Sequence, residues 1–275
     1  MKCLYHGADL DGHCSGAIVK YFNPECEMIP MNYGDEIPKF EPHEDVVIVD
    51  FSLPFRAMEF LDQYNNLVWI DHHKTAIEDM ERLNISGKRE LGRGACELTW
   101  EYFSNEPVPE GVWLLSLYDV WDHKMPDVLA FQYGMRMRED TSPDNQSMWG
   151  DVFTNLPSFM DETLLAGTTI MKYEETQNKK YCDNCAFVLF FEGLRFLAMN
   201  KPLSNSKVVD SLYRPERHDA VMFFWFQHGR GWNVSMFSDK ADIDVGEIAK
   251  RYGGGGHKGA AGFIIKTLFP LKIPC

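Results

Sequence analysis

Short apolar runs and helical patterns alternate along the first two thirds of the chain. Residues 3–5, 46–49 and 67–70 are rich in β-branched, aromatic and other large apolar side chains, a composition typical of buried strands. Residues 15–22 have helical spacing, and residues 54–64 begin with a proline, which helices accept in their first turn. Alternating strands and helices with short connections predict a parallel sheet flanked by helices.

Three further segments of this part have helical spacing: residues 95–103, 111–118 and 161–183. The last contains few helix breakers and predicts a long linker helix. Residues 114–118 are also apolar enough for a buried strand, so both structures remain open at that point.

The pattern changes near residue 185. Apolar or alternating runs then predict strands over residues 187–192, 195–199, 220–227 and 233–237, followed by helical spacing over residues 245–252. We therefore predict an α/β protein of two domains. The first comprises residues 1–184, including the linker helix, and a smaller α/β domain comprises residues 185–275.

Potential metal ligands follow the apolar runs of the first domain. Ligands gather outside the carboxyl ends of the strands in open α/β sheets, so we expect these side chains to meet at one edge. Any single aspartate could be a turn former, but the joint pattern favours a metal site. The residues are His6, Asp9 and Asp11, then Asp50, then Asp71, His72 and His73, and finally Asp119.

Two adjacent divalent cations suit this set. Carboxylates two residues apart with a nearby imidazole can hold two hard or borderline cations, and Asp50 has two oxygens with which to bridge them. His72 and Asp119 would complete the coordination of the second ion. Two cations about 3.5–4 Å apart share a water, lower its pKa and clamp the oxygens of a phosphoryl centre. This is the chemistry of a hydrolase.

His73 and Asp71 are expected to have main roles other than metal ligation. His73 is expected to act on the reacting group, either orienting a phosphate oxygen or protonating the leaving oxygen. Asp71 is expected to orient the cluster from behind the ligands, with direct ligation left open.

A glycine-rich segment predicts an anion site in the second domain. Its glycines allow close backbone approach, so that successive N–H groups can form an anion-binding nest. The small residues after it suit a helix packed under the loop, and a flexible linker is the alternative. Arg93 could approach a phosphate at a helix N-terminus, although helix capping explains its position nearly as well. The substrate-binding candidates are Gly254, Gly255, Gly256, His257, Lys258 and Arg93.

Net charge and composition limit the partners. The chain carries a formal charge of −14, yet residues 186–275 hold 12 Lys and Arg against 8 Asp and Glu. An acidic part for cations and a mildly basic part for phosphates fit this asymmetry. Long duplexes are not expected to bind, because their affinity rests on neutralising many phosphates. No apolar stretch is long enough to span a membrane, and seven scattered cysteines favour a reducing cytoplasm.

The ordered motifs resemble those of the DHH phosphoesterase superfamily, in the branch with the DHH-associated C-terminal domain and its GGGH motif. The resemblance covers nearly the whole chain and is greatest to nanoRNase-like members, through the His6 to Gly12 motif and Tyr118-Asp119-Val120-Trp121. RecJ-like exonucleases share the branch. One departure is Phe237, where relatives often carry an arginine.

The resemblance implies a manganese-dependent phosphodiesterase nuclease with two ions, Mg²⁺ or another divalent cation being an alternative. It assigns the metal ligands to His6, Asp9, Asp11, Asp50, His72 and Asp119, and it implies that the C-terminal domain closes over the site. Expected substrates are short oligonucleotides or small nucleotides, including cyclic ones, cut to nucleoside monophosphates. A 3′-phosphoadenosine 5′-phosphate phosphatase and a silent nucleotide sensor remain alternatives. A homodimer through residues 125–157 is also left open.

Overall fold

A computed structural model describes residues 1–204 and 206–267 of the protein. The chain divides into two units, Met1–Met171 and Lys172–Cys275, and the division falls within a long helix, Pro157–Cys185. The predicted boundary after residue 184 lies at the end of that helix and stays a prediction. Among the described residues, no helix combines the length and the apolar character needed to cross a membrane.

A parallel four-stranded sheet organises the first unit. Its strands have the order β2-β1-β3-β4 and are Lys2–His6 (β1), Glu27–Met31 (β2), Asp45–Val49 (β3) and Asn66–Ile70 (β4). The helices are Leu10–Phe22 (α1), Phe55–Tyr64 (α2), Lys74–Asp79 (α3), Ala95–Phe103 (α4), Glu110–Asp119 (α5), Pro126–Met135 (α6), Gln146–Phe153 (α7) and Pro157–Cys185 (α8).

The alternation of side chains along the strands explains why helices cover both faces of this sheet. Cys3 and Tyr5 of β1 pack with α1 and α4 in one buried cluster. Leu4, between them, belongs to another cluster with Met58 and Leu61 of α2. A strand that is buried on both faces has no polar side, which is why β1, β3 and β4 are apolar throughout their centres.

Helices α6 and α7 lie within residues 125–157. Phe131 and Trp149 are completely buried in the helical core of the first unit. At Gly167, a Cβ atom would lie 1.6 Å from the carbonyl oxygen of Ala130, so a glycine allows α8 to approach α6 this closely. A homodimer formed through residues 125–157 stays a prediction.

A six-stranded mixed sheet forms the second unit. The strands are Phe187–Phe191 (β5), Leu194–Asn200 (β6), Ala220–Gln227 (β7), Gly231–Phe237 (β8), Gly255–His257 (β9) and Ala260–Ile265 (β10), in the order β5-β6-β7-β8-β10-β9. Among the described strands of this sheet, only the β6–β7 pair is parallel. Val245–Arg251 (α9) packs on this sheet through Val245 and Ile248.

The two-domain α/β fold is therefore confirmed, with two local corrections. The strand interpretation of residues 114–118 is wrong, because they lie within α5. The helix expected after the glycine-rich segment is also wrong: β10 occupies that position and pairs with β8. Small residues there permit close strand pairing rather than helix packing, since a Cβ atom on Gly262 would lie 2.8 Å from the Val234 carbonyl oxygen.

Candidate metal centre

His6 and Asp9 meet where β1 passes into α1. Asp9 caps α1: its Oδ1 accepts the N–H of Gly12 at 2.9 Å. Its other oxygen, Oδ2, is 2.9 Å from Nδ1 of His6. A side chain at Gly12 could not fit, because its Cβ would lie 2.1 Å from the His6 carbonyl oxygen. The tight turn therefore places an imidazole and a carboxylate side by side.

Asp11 is held by the N-terminus of α4. Its Oδ2 accepts the N–H of Ala95 at 2.7 Å, and its Oδ1 accepts the N–H of Cys96 at 2.9 Å. The free N–H groups and the dipole at a helix N-terminus stabilise a carboxylate, here one that is only 2% exposed. Gly94, which precedes the helix, is needed for this contact, since a Cβ there would lie 2.7 Å from Cα of Ser116.

Asp50 lies at the middle of the cluster. It directly follows β3 and is 1% exposed, and its φ of 55° is uncommon for any residue other than glycine. Its Oδ2 is 3.5 Å from Nδ1 of His6, and its Oδ1 is 3.2 Å from Nε2 of His72. Such backbone strain persists only where the surroundings enforce it, and it often marks functional sites.

His72 faces three carboxylates. Besides Asp50, its Nε2 lies 3.2 Å from Oδ2 of Asp119 and 3.7 Å from Oδ2 of Asp11. Asp119 is the last residue of α5, so a helix end and not a strand end brings it to this edge of the sheet.

Asp71 and His73 form a hydrogen-bonded pair next to His72. Oδ1 of the fully buried Asp71 accepts the backbone N–H groups of His72 at 2.7 Å and of His73 at 3.1 Å. The same oxygen lies 2.7 Å from Nδ1 of His73. Asp71 thereby fixes the backbone that carries His72 and orients the ring of His73, whose pKa it raises.

The predicted ligands fall into two groups whose donor atoms lie close enough to share an ion. One group is His6, Asp9 and Asp50, and the other is Asp11, His72 and Asp119. Asp50 and His72 also form a group with Asp71 and His73. The structure thus brings all six predicted ligands together, while their roles as ligands stay predictions.

Several atoms of this cluster are buried without a hydrogen-bond partner. They are Nδ1 of His6, both carboxylate oxygens of Asp50, Oδ2 of Asp71 and Nε2 of His72. The contacts of these atoms with neighbouring charged side chains, given above, lack the geometry of hydrogen bonds. Buried polar atoms are normally satisfied, so a convergent set of orphaned oxygen and nitrogen donors fits divalent cations.

Protonation of the cluster reflects its crowded carboxylates. Interactions with Asp50 and Asp9 raise the pKa of His6 to about 10. Burial opposes a charge on His72, but the carboxylates around it outweigh burial and raise its pKa to about 9. Burial, reinforced by neighbouring carboxylates, raises the pKa of both Asp11 and Asp119 to about 7. Protons on these four side chains therefore balance part of the negative charge of the cluster, as bound cations would.

The substrate-binding candidates occupy different places. Arg93 bonds to Glu97 and Glu101 and lies 3.3 Å from Glu90, so carboxylates already engage its guanidinium. In the second unit, Gly255, Gly256 and the exposed His257 form β9. Gly256 has φ 137°, and the Lys258 carbonyl oxygen accepts the N–H of Val245. Binding of substrate by Arg93 and by Gly254 to Lys258 stays a prediction.

The residues that support Asp11 from below were not predicted from the sequence. Ser116 Oγ accepts the N–H of Gly94 at 2.8 Å and donates to Oε2 of Glu97 at 2.6 Å. Glu97 in turn binds Arg93. These linked contacts fix the start of α4. A serine within an apolar helix gives no indication of such a role in the sequence.

Residues 201–273 match the family model of the DHHA1 domain. An uncharacterized protein of Acanthamoeba polyphaga mimivirus is 23% identical over 304 aligned residues, which cover 98% of this chain and 69% of that protein.

Two solved structures show a similar fold. The pGpG-specific phosphodiesterase PggH from Vibrio cholerae has a TM-score of 0.59 at 14% identity, with 96% of this chain and 93% of that chain covered. The DHH domain of a member of the s1p family of ribosomal proteins has a TM-score of 0.57, also at 14% identity, with 96% and 82% covered.

Cation binding should release protons, and affinity should rise with pH. The raised pKa values mean that His6 and His72 are protonated at neutral pH, so a cation must displace those protons. Between pH 6 and 8 we expect Mn²⁺ affinity to rise about tenfold per pH unit for each proton displaced. Titration calorimetry in two buffers of different ionisation enthalpy would count the protons. An affinity independent of pH would contradict this assignment.

Proposed function

Because residues 201–273 match the DHHA1 domain and the fold is similar to that of a phosphodiesterase, we propose that this chain is a DHH phosphoesterase that acts as a manganese-dependent phosphodiesterase of short nucleotides. Its substrates are short oligonucleotides or small nucleotides, including cyclic ones, and its products are nucleoside monophosphates. The observation that carries the proposal is the pair of ligand groups of the metal centre, whose donors converge on the buried carboxylate of Asp50.

The two ligand groups suit two neighbouring cations. His6, Asp9 and Asp50 would hold one ion, and Asp11, His72 and Asp119 the other. Bound divalent cations supply Lewis-acid charge to phosphoryl oxygens and lower the pKa of water. The mixed oxygen and imidazole donors fit manganese, and they also admit Mg²⁺ or another divalent cation.

His73 is the residue best placed to handle a proton. Asp71 holds its Nδ1 at 2.7 Å and raises its pKa, which favours the protonated ring. The His73 side chain remains 37% exposed, so its other nitrogen can reach a substrate. It therefore donates a proton to the leaving oxygen, and Asp71 keeps the ring in position.

Charge supports short substrates. The net charge of −14 opposes binding of a long polyanion, whereas one or two phosphates need only a local site. The second unit is the mildly basic part of the chain, and we assign substrate phosphate binding to residues 254–258 there. PggH, which is named for the dinucleotide pGpG, has a similar fold.

Turnover of a small substrate panel tests the proposal. The panel contains a 5′-labelled dinucleotide, a pentanucleotide, a long oligonucleotide, a cyclic dinucleotide and 3′-phosphoadenosine 5′-phosphate, each with Mn²⁺ or with a chelator. We expect manganese-dependent release of mononucleotide, fastest from the shortest substrates. Cleavage of the phosphomonoester alone would establish the phosphatase alternative. Binding without turnover would establish the sensor.

Two aspartate variants complete this experiment. Asp50→Ala should reduce turnover to background, because this carboxylate lies next to His6 of one ligand group and His72 of the other. Asp161→Ala is the matched control: this aspartate is exposed at the start of α8 and should leave turnover unchanged. Normal activity of Asp50→Ala would contradict the two-cation assignment.

Residue His257 should contribute to substrate affinity. His257→Ala removes a donor from the proposed phosphate site, so we expect KM to rise about tenfold or more with little change in kcat. His228→Ala, which alters an exposed histidine in the turn between β7 and β8, is the control. Steady-state kinetics on the dinucleotide measures both parameters. An unchanged KM in His257→Ala would remove His257 from the site.

A further inference from the structure

A cavity of about 420 Å³ opens in the first unit, on the side of the metal centre where His6 lies. The loop after β2, the segment after β3 and the end of α3 line it. The residues that matter to its chemistry are Tyr33, Asp35, Phe51, Ser52 and Asp79. None of them belongs to the predicted ligand set.

Aromatic rings connect this cavity to the metal centre. Phe51 follows Asp50 in the chain, and its ring stacks with the His6 ring at a centroid distance of 6.5 Å and an interplanar angle of 17°. The Tyr33 ring lies 4.9 Å from that of Phe51 and 6.1 Å from that of His6. A ligand in the cavity is therefore one ring away from a predicted metal ligand.

The two rings differ in exposure, and this difference indicates how a ligand would bind. Phe51 is only 2% exposed and serves as support, whereas Tyr33 is 61% exposed. An exposed aromatic ring beside a cavity offers a π-face to a flat ligand, and bases stack on such rings. The apolar side chains of Met31 and Leu53 complete the wall.

The polar groups of the cavity favour a base over a phosphate. Asp35 and Asp79 contribute carboxylates, which repel phosphates. Oδ2 of Asp35 already accepts the N–H of Asn32 at 2.7 Å, and the remaining carboxylate oxygens can accept hydrogen bonds from the N–H groups on a base edge. Ser52 adds a hydroxyl group. A largely apolar cavity with a few polar groups is the usual form of a small-molecule site, and this volume accommodates a purine.

We propose that this cavity binds one nucleobase of the substrate, stacked on Tyr33, with the adjoining phosphate at the metal centre. The inference rests on the proposed function, and it adds a subsite that recognises the base. Bases with N–H donors on the exposed edge, guanine above all, fit the carboxylates at the rim.

Kinetics on substrates with and without bases tests this subsite. Tyr33→Ala should lower kcat/KM for a dinucleotide about tenfold to a hundredfold, the range expected for one lost base stack. The same variant should leave kcat/KM unchanged for the abasic dinucleotide, which retains the sugars and phosphates. Tyr33→Phe keeps the ring and should retain activity on the dinucleotide.

Tyr64→Ala is the matched control, because Tyr64 is 52% exposed on α2 and does not line the cavity. It should behave as wild type on both substrates. Unchanged dinucleotide kinetics in Tyr33→Ala, or equal losses on both substrates, would overturn the proposal.

Equilibrium binding separates this inference from the catalytic proposal. Guanosine carries a base but no phosphate, so its binding does not depend on turnover. We expect guanosine to bind the full-length wild-type protein and to bind Tyr33→Ala about tenfold or more weakly, while ribose alone binds neither. Equal guanosine affinity for the two proteins would overturn the inference. Absence of turnover with an intact difference in guanosine binding would overturn only the catalytic proposal.

Discussion

The carboxylate of Asp50 lies between the imidazoles of His6 and His72, and the first unit is arranged around this contact. Both oxygens of Asp50 are buried without hydrogen bonds, and the residue accepts a positive φ to reach its position. A buried carboxylate is costly unless positive charge faces it or a proton neutralises it, and burial raises the pKa of Asp50. Protonated imidazoles can provide positive charge, and so can cations held by the same donors. The strained aspartate therefore fits a site that binds positive charge.

The parallel sheet and one helix end supply the remaining constraints. β1 and β3 are neighbours, so His6, the last residue of β1, and Asp50, the residue after β3, lie at the same edge of the sheet. The N-terminus of α4 then fixes Asp11 through two backbone N–H groups, and Ser116 secures the start of that helix. Because backbone groups and not flexible side chains hold Asp11, its position depends on the fold as a whole. The ring of Phe51 packs against those of His6 and Tyr33 and so joins the metal centre to the proposed base site.

The sequence predicted the parts of this arrangement that depend on apolar runs. Strands β1, β3 and β4 are buried on both faces, so their composition identifies them, and the polar residues after them identify the site. Strand β2 was missed because it is half exposed at the sheet edge and contains Pro30, which weakens a strand pattern. The position of Asp119 was ambiguous, since α5 is apolar on nearly all sides and shows little helical periodicity. The Tyr33 cavity could not be predicted, because three separate segments form it only after folding.

Anomalous diffraction from crystals of the protein grown with Mn²⁺ tests the two-cation centre most directly. We expect two manganese peaks per chain, about 3.5–4 Å apart. One peak should be bound by His6, Asp9 and Asp50, and the other by Asp11, His72 and Asp119, with Asp50 between them. A single peak, or peaks bound by other residues, would contradict the two-cation centre.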